Sequence, residues 1–172
     1  MKIKKNISEI PEFFRKYLKL YLQYLKKRLN ENLLSLILYG SVARDIWNEE
    51  SDVDLFLILS NELKKKNTDF DISKLTIEFY NEIYGTELYN KMENHPLSIL
   101  ALKKEELKRF RTLFYDIAID GIILYDPKDI GIGFIEKYKK RINKKNLKRV
   151  FVDKNDFYWE RGDIKRGDII EL

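Results

Sequence analysis

The chain contains no cysteine and one histidine, His95, among its 172 residues. The missing thiols exclude disulfide bonds, a cysteine nucleophile and zinc sites built from cysteine. A single histidine also excludes a cluster of imidazole ligands, so a metal ion in this protein would have to be held by oxygen. His95 stands in an Asn-His-Pro segment, where we expect a structural role in a turn.

Long apolar runs are also missing. No stretch approaches the roughly 20 residues that span a bilayer, and residues 1–5 (Met-Lys-Ile-Lys-Lys) lack the apolar segment of a secretory signal. We therefore expect a cytoplasmic protein with no membrane partner. Apolar residues (44%) and charged residues (35%) are spread along the chain without a repeat or linker, which predicts one domain over residues 1–172.

Positive charge is in excess. Lysine and arginine outnumber the acidic residues 33 to 28, for a net charge of +5. The surplus lies largely in residues 26–28, 64–66 and 137–149, and it suits an anionic partner. A solvated helix surface explains it as well, so nucleic acid is an open but not a favoured partner.

Apolar periodicity predicts helices that alternate with short buried strands. Helical spacing marks residues 8–29 (with Ser8 as the N-terminal cap), 72–88, 104–119 and 128–143. Apolar runs predict strands at 33–39, 53–59, 97–102 and 122–124, a loop at 64–67, and short strands over 150–172 with turns at Gly162 and Gly167. This order indicates an α/β (α+β) protein, in which helices flank a mixed sheet between a long N-terminal helix and a β-rich accessory region at 128–172.

The first segment with chemical potential is Leu38-Tyr39-Gly40-Ser41-Val42-Ala43-Arg44. A strand ends at Gly40, where the missing side chain lets backbone amides approach a ligand, and a helix begins whose N-terminus attracts phosphate. Ser41 can donate its hydroxyl to a phosphate oxygen, and Arg44 can reach the same anion from about one turn later. Taken alone, the segment could equally be a tight turn with a helix cap.

The second segment is Ser51-Asp52-Val53-Asp54-Leu55, at the start of an apolar strand. The strand period of two points Asp52 and Asp54 to the same face. Adjacent carboxylates repel each other unless a cation lies between them, and oxygen ligands near phosphate favour magnesium. A polar strand edge with Ser51 as a turn cap is the alternative for this segment in isolation.

The two segments together resemble a known signature. Gly40-Ser41, ten intervening residues and Asp52-x-Asp54 at the head of a strand look like the nucleotidyltransferase superfamily of the polymerase-beta type. More narrowly, residues 38–59 are similar to the minimal nucleotidyltransferases of prokaryotes, some of which are antitoxins paired with helical ribonuclease toxins. The tail, residues 157–172, resembles the endings of archaeal members.

This resemblance implies an enzyme that moves a nucleoside monophosphate from a nucleoside triphosphate, ATP in the first instance, to a hydroxyl acceptor, with release of pyrophosphate. It also implies a set of site residues. Magnesium and catalysis would fall to Asp52 and Asp54, and the nucleotide would contact Gly40, Ser41, Arg44 and Ser51.

Two positions depart from the family pattern. Asp45 stands where the family usually has glycine, and it could shift the turn or repel phosphate. Active members also carry a third carboxylate on a later strand, which by order is 97–102, and this strand contains no acid. By alternation Ser98 is the expected occupant. Four acids outside the strand could supply the third carboxylate instead: Glu93, Glu105, Asp116 and Asp120. For Asp116 and Asp120 we expect surface or turn roles.

The missing acid leaves a second hypothesis open. The chain could instead be a nucleotide-binding regulator, similar to an antitoxin, that retains the nucleotide site but has weak transfer activity. A helical ribonuclease toxin would then be its partner.

Overall fold

The computed structural model describes residues 3–5, 7–63, 71–153 and 156–162. The helices in these ranges are α1 Glu12–Leu29, α2 Gly40–Arg44, α3 Ile72–Ile83, α4 Glu87–Met92, α5 Leu113–Asp120 and α6 Ile130–Lys144. The strands are β1 Leu33–Leu38, β2 Val53–Leu59, β3 Leu97–Lys103, β4 Ile122–Tyr125, β5 Leu147–Phe151 and β6 Phe157–Arg161. The loop predicted at 64–67 and the turn predicted at Gly167 lie outside the described residues.

Four strands form one mixed sheet in the order β3-β2-β1-β4. The central strand β1 is antiparallel to β2 and β4, whereas β3 runs parallel to β2. All of β1 is buried, and so is all of β2 except Asp54. Helices cover both faces, which explains why these two strands are continuously apolar. The mixed sheet flanked by helices confirms the predicted fold class.

The alternation of β2 assigns its side chains to two cores. Leu55 and Leu57 pack with the α1 and α3 side of the sheet, in the cluster that contains Tyr17, Tyr21 and Phe79. Phe56 and Ile58 pack with α5 and α6, in the cluster that contains Phe114, Phe134 and Tyr138. Because side chains alternate along a strand, Asp54 lies on the α5 and α6 side. Within the described ranges, no helix is long and apolar enough to cross a membrane.

Three predicted helix bounds are wrong. The helix predicted at 72–88 is two helices, α3 and α4, separated at Gly85, whose φ of 73° is incompatible with a continuing right-handed helix. Residues 104–108 form a 3-10 turn, and the α-helix proposed for 104–119 begins only at Leu113. Ser8 lies in another 3-10 turn, and α1 begins at Glu12 after Pro11, because proline suits a helix start.

Strands β5 and β6 form a separate antiparallel hairpin at the C-terminal side of α6. The chain reverses between 151 and 157, and Gly162 follows β6 instead of forming a turn between strands. Arg149 and Trp159 are paired across the hairpin on its more buried face, while Lys148 and Glu160 are exposed on the other. The Trp159 ring contacts Tyr115 of α5, with centroids 5.4 Å apart.

Candidate functional site

The end of β1 lies beside the start of β2, because the two strands are antiparallel neighbours. The Tyr39 N–H donates a hydrogen bond of 3.0 Å to the Asp54 carbonyl oxygen. Gly40 follows with φ 74°, and a β-carbon at this position would overlap Asp54 Oδ2 and lie 2.9 Å from its Cγ. Only glycine lets the chain turn so closely over this carboxylate. The structure therefore brings the two sequence motifs together.

Helix α2 starts at this turn and is five residues long. So short a helix has little macrodipole, and an anion here would depend on local backbone amides and on the Ser41 hydroxyl. Asp45 ends the helix with φ 58°, and its N–H donates to the Ser41 and Val42 carbonyls. This left-handed conformation is the one that glycine adopts without strain, so the exposed Asp45 retains the turn that the family's glycine would make.

Asp52 and Asp54 differ in their surroundings. Asp52 precedes β2 and is exposed, whereas Asp54 lies within β2 and is partly buried. Burial raises the pKa of Asp54 above its ordinary value, and the charge of Asp52 raises it further. A hydrogen bond with Ser98 and the charge of Arg44 act in the opposite direction on that pKa. The site therefore combines two interacting carboxylates, one of which is costly to ionise.

Ser98, the expected occupant of the third-acid position, lies beside Asp54. In the parallel register of β2 and β3, Ser98 pairs directly with Asp54, which confirms that the two residues face each other. A serine hydroxyl carries no charge and does not act as a base at neutral pH. Within the described ranges, no group of three or more Asp, Glu, His or Cys side chains is placed to hold a metal ion. The acidic centre is thus a pair.

Ser51 shapes the loop before the acids. Its Oγ accepts from the Asn48 N–H at 2.8 Å and donates to Asn48 Oδ1 at 3.0 Å, which is the turn role left open by the sequence. The Ser51 carbonyl lies 2.9 Å from His95 Nδ1. His95 is buried, as a structural residue would be, and its ring meets three aromatic side chains edge-on: Phe13, Phe14 and Trp47.

Arg44 approaches an acid at the end of α5. Its Nη1 is 3.4 Å from Asp120 Oδ2. Arg149 of β5 binds the same carboxylate more closely, with Nη1 at 3.0 Å from Oδ1 and 2.9 Å from Oδ2. Asp120 therefore joins α2 to the C-terminal hairpin. The side chain of Asp120 is only 10% exposed, so a surface role for this residue is wrong, although the residue does stand at the turn from α5 into β4.

Asp116 belongs to the same network, one helical turn earlier in α5. It accepts from Trp159 Nε1 at 2.8 Å and lies 3.4 Å from Arg149 Nη2. Burial raises the pKa of Asp116, although Trp159 and Arg149 partly offset the effect. The expected surface role for Asp116 is therefore also wrong. These contacts join residues 33 and 43 positions apart, and no local pattern in the sequence predicts them.

Comparison with known proteins identifies the family. The sequence profile described as Polymerase beta, Nucleotidyltransferase matches residues 22–130, which is more than half of the chain. The match contains both motifs and every strand of the mixed sheet. The chain belongs to this nucleotidyltransferase family. The resemblance to the polymerase-beta type of nucleotidyltransferase is thus confirmed.

The individual proteins described next each share less than 30% sequence identity with this chain. The chain is 28% identical over 145 residues to the Methanocaldococcus jannaschii protein named "Putative protein adenylyltransferase MJ1305", across 84% of this chain and 91% of the relative. Similar solved structures include a chain of a toxin-antitoxin with AMP-PNP (14% identity, 74% of this chain and 91% of the other, TM-score 0.42). Another is a chain from a tri-AMPylated Shewanella oneidensis HEPN toxin in complex with its MNT antitoxin (14%, 78% and 90%, TM-score 0.38). A likeness at these scores has no bearing on function.

Proposed function

We propose that the protein is a magnesium-dependent nucleotidyltransferase that moves a nucleoside monophosphate from a nucleoside triphosphate to a hydroxyl acceptor. The observation that carries the proposal is the approach of Gly40 to the Asp54 carboxylate, with Asp52 next to it. A glycine backbone without a side chain, next to two acids, suits a ligand that combines phosphate with a cation. Family membership supports the reaction class.

The residues present fit magnesium. Asp52 and Asp54 offer only oxygen donors, and magnesium typically binds one or two carboxylates together with phosphate oxygens and water. The raised pKa of Asp54 indicates a carboxylate whose burial is not compensated by its neighbours, and a divalent cation would supply that compensation. When bound, magnesium would stabilise the negative charge that develops during in-line transfer.

The remaining roles follow from position. The backbone at Gly40 and the hydroxyl of Ser41 are placed to bind phosphate oxygens, and Arg44 is close enough to the acids to influence the pKa of Asp54. In the reaction, the acceptor oxygen forms a bond to the α-phosphorus, pyrophosphate leaves, and the acceptor loses its proton. Ser98 cannot take this proton as a carboxylate would, so we expect slow transfer.

ATP and a protein acceptor are the first choices for substrates. The relative of 28% identity is named as an adenylyltransferase that acts on protein, and its alignment covers most of both chains. Transfer of an adenylyl group to a protein hydroxyl would use the same pair of acids. We therefore propose ATP as the donor to test first.

The second candidate function is that of a nucleotide-binding regulator. The observation that favours it is Ser98, which leaves Asp54 without a third carboxylate beside it. Such a protein would bind magnesium and nucleotide through the same residues but transfer little. A helical ribonuclease toxin is the partner proposed for it.

The deciding experiment follows label from each α-phosphate-labelled nucleoside triphosphate into cell lysate, with magnesium and purified protein. The Asp52→Asn, Asp54→Asn double variant should lose the transfer. Asp45→Asn is the matched control, because it removes an exposed acid from the segment between α2 and β2, and asparagine tolerates the left-handed conformation. Transfer by the wild type and by Asp45→Asn, but not by the double variant, supports the enzyme function. Magnesium-dependent nucleotide binding without transfer favours the regulator, and no binding contradicts both.

A further inference from the structure

Two arginines share the carboxylate of Asp120, and they share it unequally. Arg149 makes two contacts to it, at 2.9 and 3.0 Å. Arg44 makes one, at 3.4 Å, which is beyond the usual range of an N–H···O hydrogen bond. All three side chains are largely buried, with 10% to 17% exposure. Asp120 is therefore bound mainly by Arg149.

Arg44 retains hydrogen-bonding capacity as a result. A guanidinium has five N–H donors, and buried cations are normally paired. Among the described residues, the Nε atoms of Arg44 and of Arg149 are both buried without a hydrogen-bond partner, so neither guanidinium is fully satisfied. The Phe157 ring lies 5.5 Å from Arg44 Cζ and 4.2 Å from Arg149 Cζ, within cation–π range of both groups. The hairpin thus holds Arg44 in place without satisfying its donors.

Arg44 also belongs to the helix that begins over the acidic pair. It is the last residue of α2, whose first residue, Gly40, lies against the Asp54 carboxylate. Its guanidinium contacts Asp120 at the end of α5. If Arg149 were absent, Asp120 could accept hydrogen bonds from two N–H groups of Arg44, and the Arg44 guanidinium would move away from the site.

We infer that Arg149 is a positioning residue for nucleotide binding: by occupying Asp120, it leaves the Arg44 guanidinium directed to the phosphates of the bound triphosphate. The inference rests on the proposed function. It assigns a role in the site to hairpin β5–β6, which lies outside the family match at residues 22–130. Arg149 touches no nucleotide in this arrangement and acts only through Asp120 and Arg44.

A structural role for Arg149 in docking the hairpin would produce a different result. In that case its loss would lower stability, and any effect on binding would not depend on Arg44. A double-mutant cycle separates the two roles, because two residues that act through one another give non-additive effects.

The experiment measures binding of magnesium with inorganic triphosphate, and of magnesium with ATP, by calorimetry. The variants are Arg149→Lys, Arg44→Lys and both together. Lysine keeps the charge, but it has no planar fork with which to contact Asp116 and Asp120 through separate nitrogens, as Arg149 does. Arg28→Lys is the matched control, since Arg28 also contacts two acids (Glu78 and Glu82), but between α1 and α3. A cooperative thermal unfolding transition establishes that each variant folds. If Arg149→Lys does not fold, Arg149→Gln takes its place in the cycle.

We expect Arg149→Lys to weaken triphosphate and ATP binding equally, by roughly three- to thirtyfold, and to have little further effect once Arg44 is lysine. The control should bind as the wild type does. An equal loss in both Arg44 backgrounds, no loss at all, or a loss for ATP but not for triphosphate would overturn the inference. Failure of the wild type to bind either ligand would instead contradict the proposed function itself.

Discussion

Substitution of Gly40 by alanine tests the geometry at the centre of the site. The new β-carbon would overlap the Asp54 carboxylate, so either the turn or the acid has to move. The chain supplies a matched control in Gly85, which has nearly the same φ (73° against 74°) but no heavy atom within 4 Å of the corresponding β-carbon. Comparison of Gly40→Ala with Gly85→Ala therefore separates the contact with Asp54 from the strain of the left-handed backbone.

The expected magnitudes follow from these two effects. An alanine residue in the left-handed backbone conformation lowers the free energy of unfolding by about 1–2 kcal/mol. Part of this loss is offset because alanine makes the unfolded chain less flexible than glycine does. We expect Gly85→Ala to lose about 1 kcal/mol of stability. The overlap with Asp54 adds about 1–3 kcal/mol at Gly40, as overpacking does elsewhere. A carboxylate displaced by about 1 Å should also lower the transfer rate on the order of 100-fold.

The assays are urea unfolding and the label-transfer reaction, run side by side. Gly40→Ala should be the less stable variant and should lose transfer, while Gly85→Ala keeps it. Adding Asp54→Ala to Gly40→Ala should recover part of the lost stability, since the overlapping carboxylate is then absent. Equal stabilities for the two alanine variants, or unchanged transfer in Gly40→Ala, would refute the close approach of Gly40 and Asp54.

The remaining predictions concern the acids and their neighbour. Burial raises the pKa of Asp54, so this carboxyl binds a proton more tightly in the folded protein than in the unfolded chain. The free energy of unfolding should therefore fall as the pH rises from the ordinary pKa of 3.8 through the raised pKa. In the presence of EDTA, Asp54→Asn should therefore raise the melting temperature near pH 7 and have no effect near pH 3; a gain of equal size at both would contradict this account. Magnesium and ATP at about 100 times the dissociation constant should raise the wild-type melting temperature by about 5–10 °C in scanning fluorimetry, and should not do so in the Asp52→Asn, Asp54→Asn variant. Ser98→Asp should increase transfer and lower stability without magnesium, because it adds a third acid beside Asp54; unchanged magnesium affinity in a titration would exclude Ser98 from the metal site.

The candidate site was largely predictable because its two halves are local in sequence. A glycine at the end of one apolar strand and two acids at the head of the next predicted a shared site, and the antiparallel pairing of β1 with β2 brings Gly40 to Asp54. The place of Ser98 beside Asp54 was also predictable, since alternation along β3 leaves few positions that can face the acids. The break at Gly85 was not predicted, because apolar periodicity continues through it.

The amino-acid sequence by itself determined the mixed α/β class, the pairing of the Gly40-Ser41 turn with Asp52 and Asp54, and the absence of an acid from strand β3. These features depend on residue type and short spacings, which backbone geometry converts directly into position. Only the tertiary structure decided that Asp116 and Asp120 are partly buried and that Arg149 forms ion pairs with both. Ion pairs between helix α5 and a hairpin about 30 residues later produce no periodic pattern in the sequence, because they depend on how the two elements pack together.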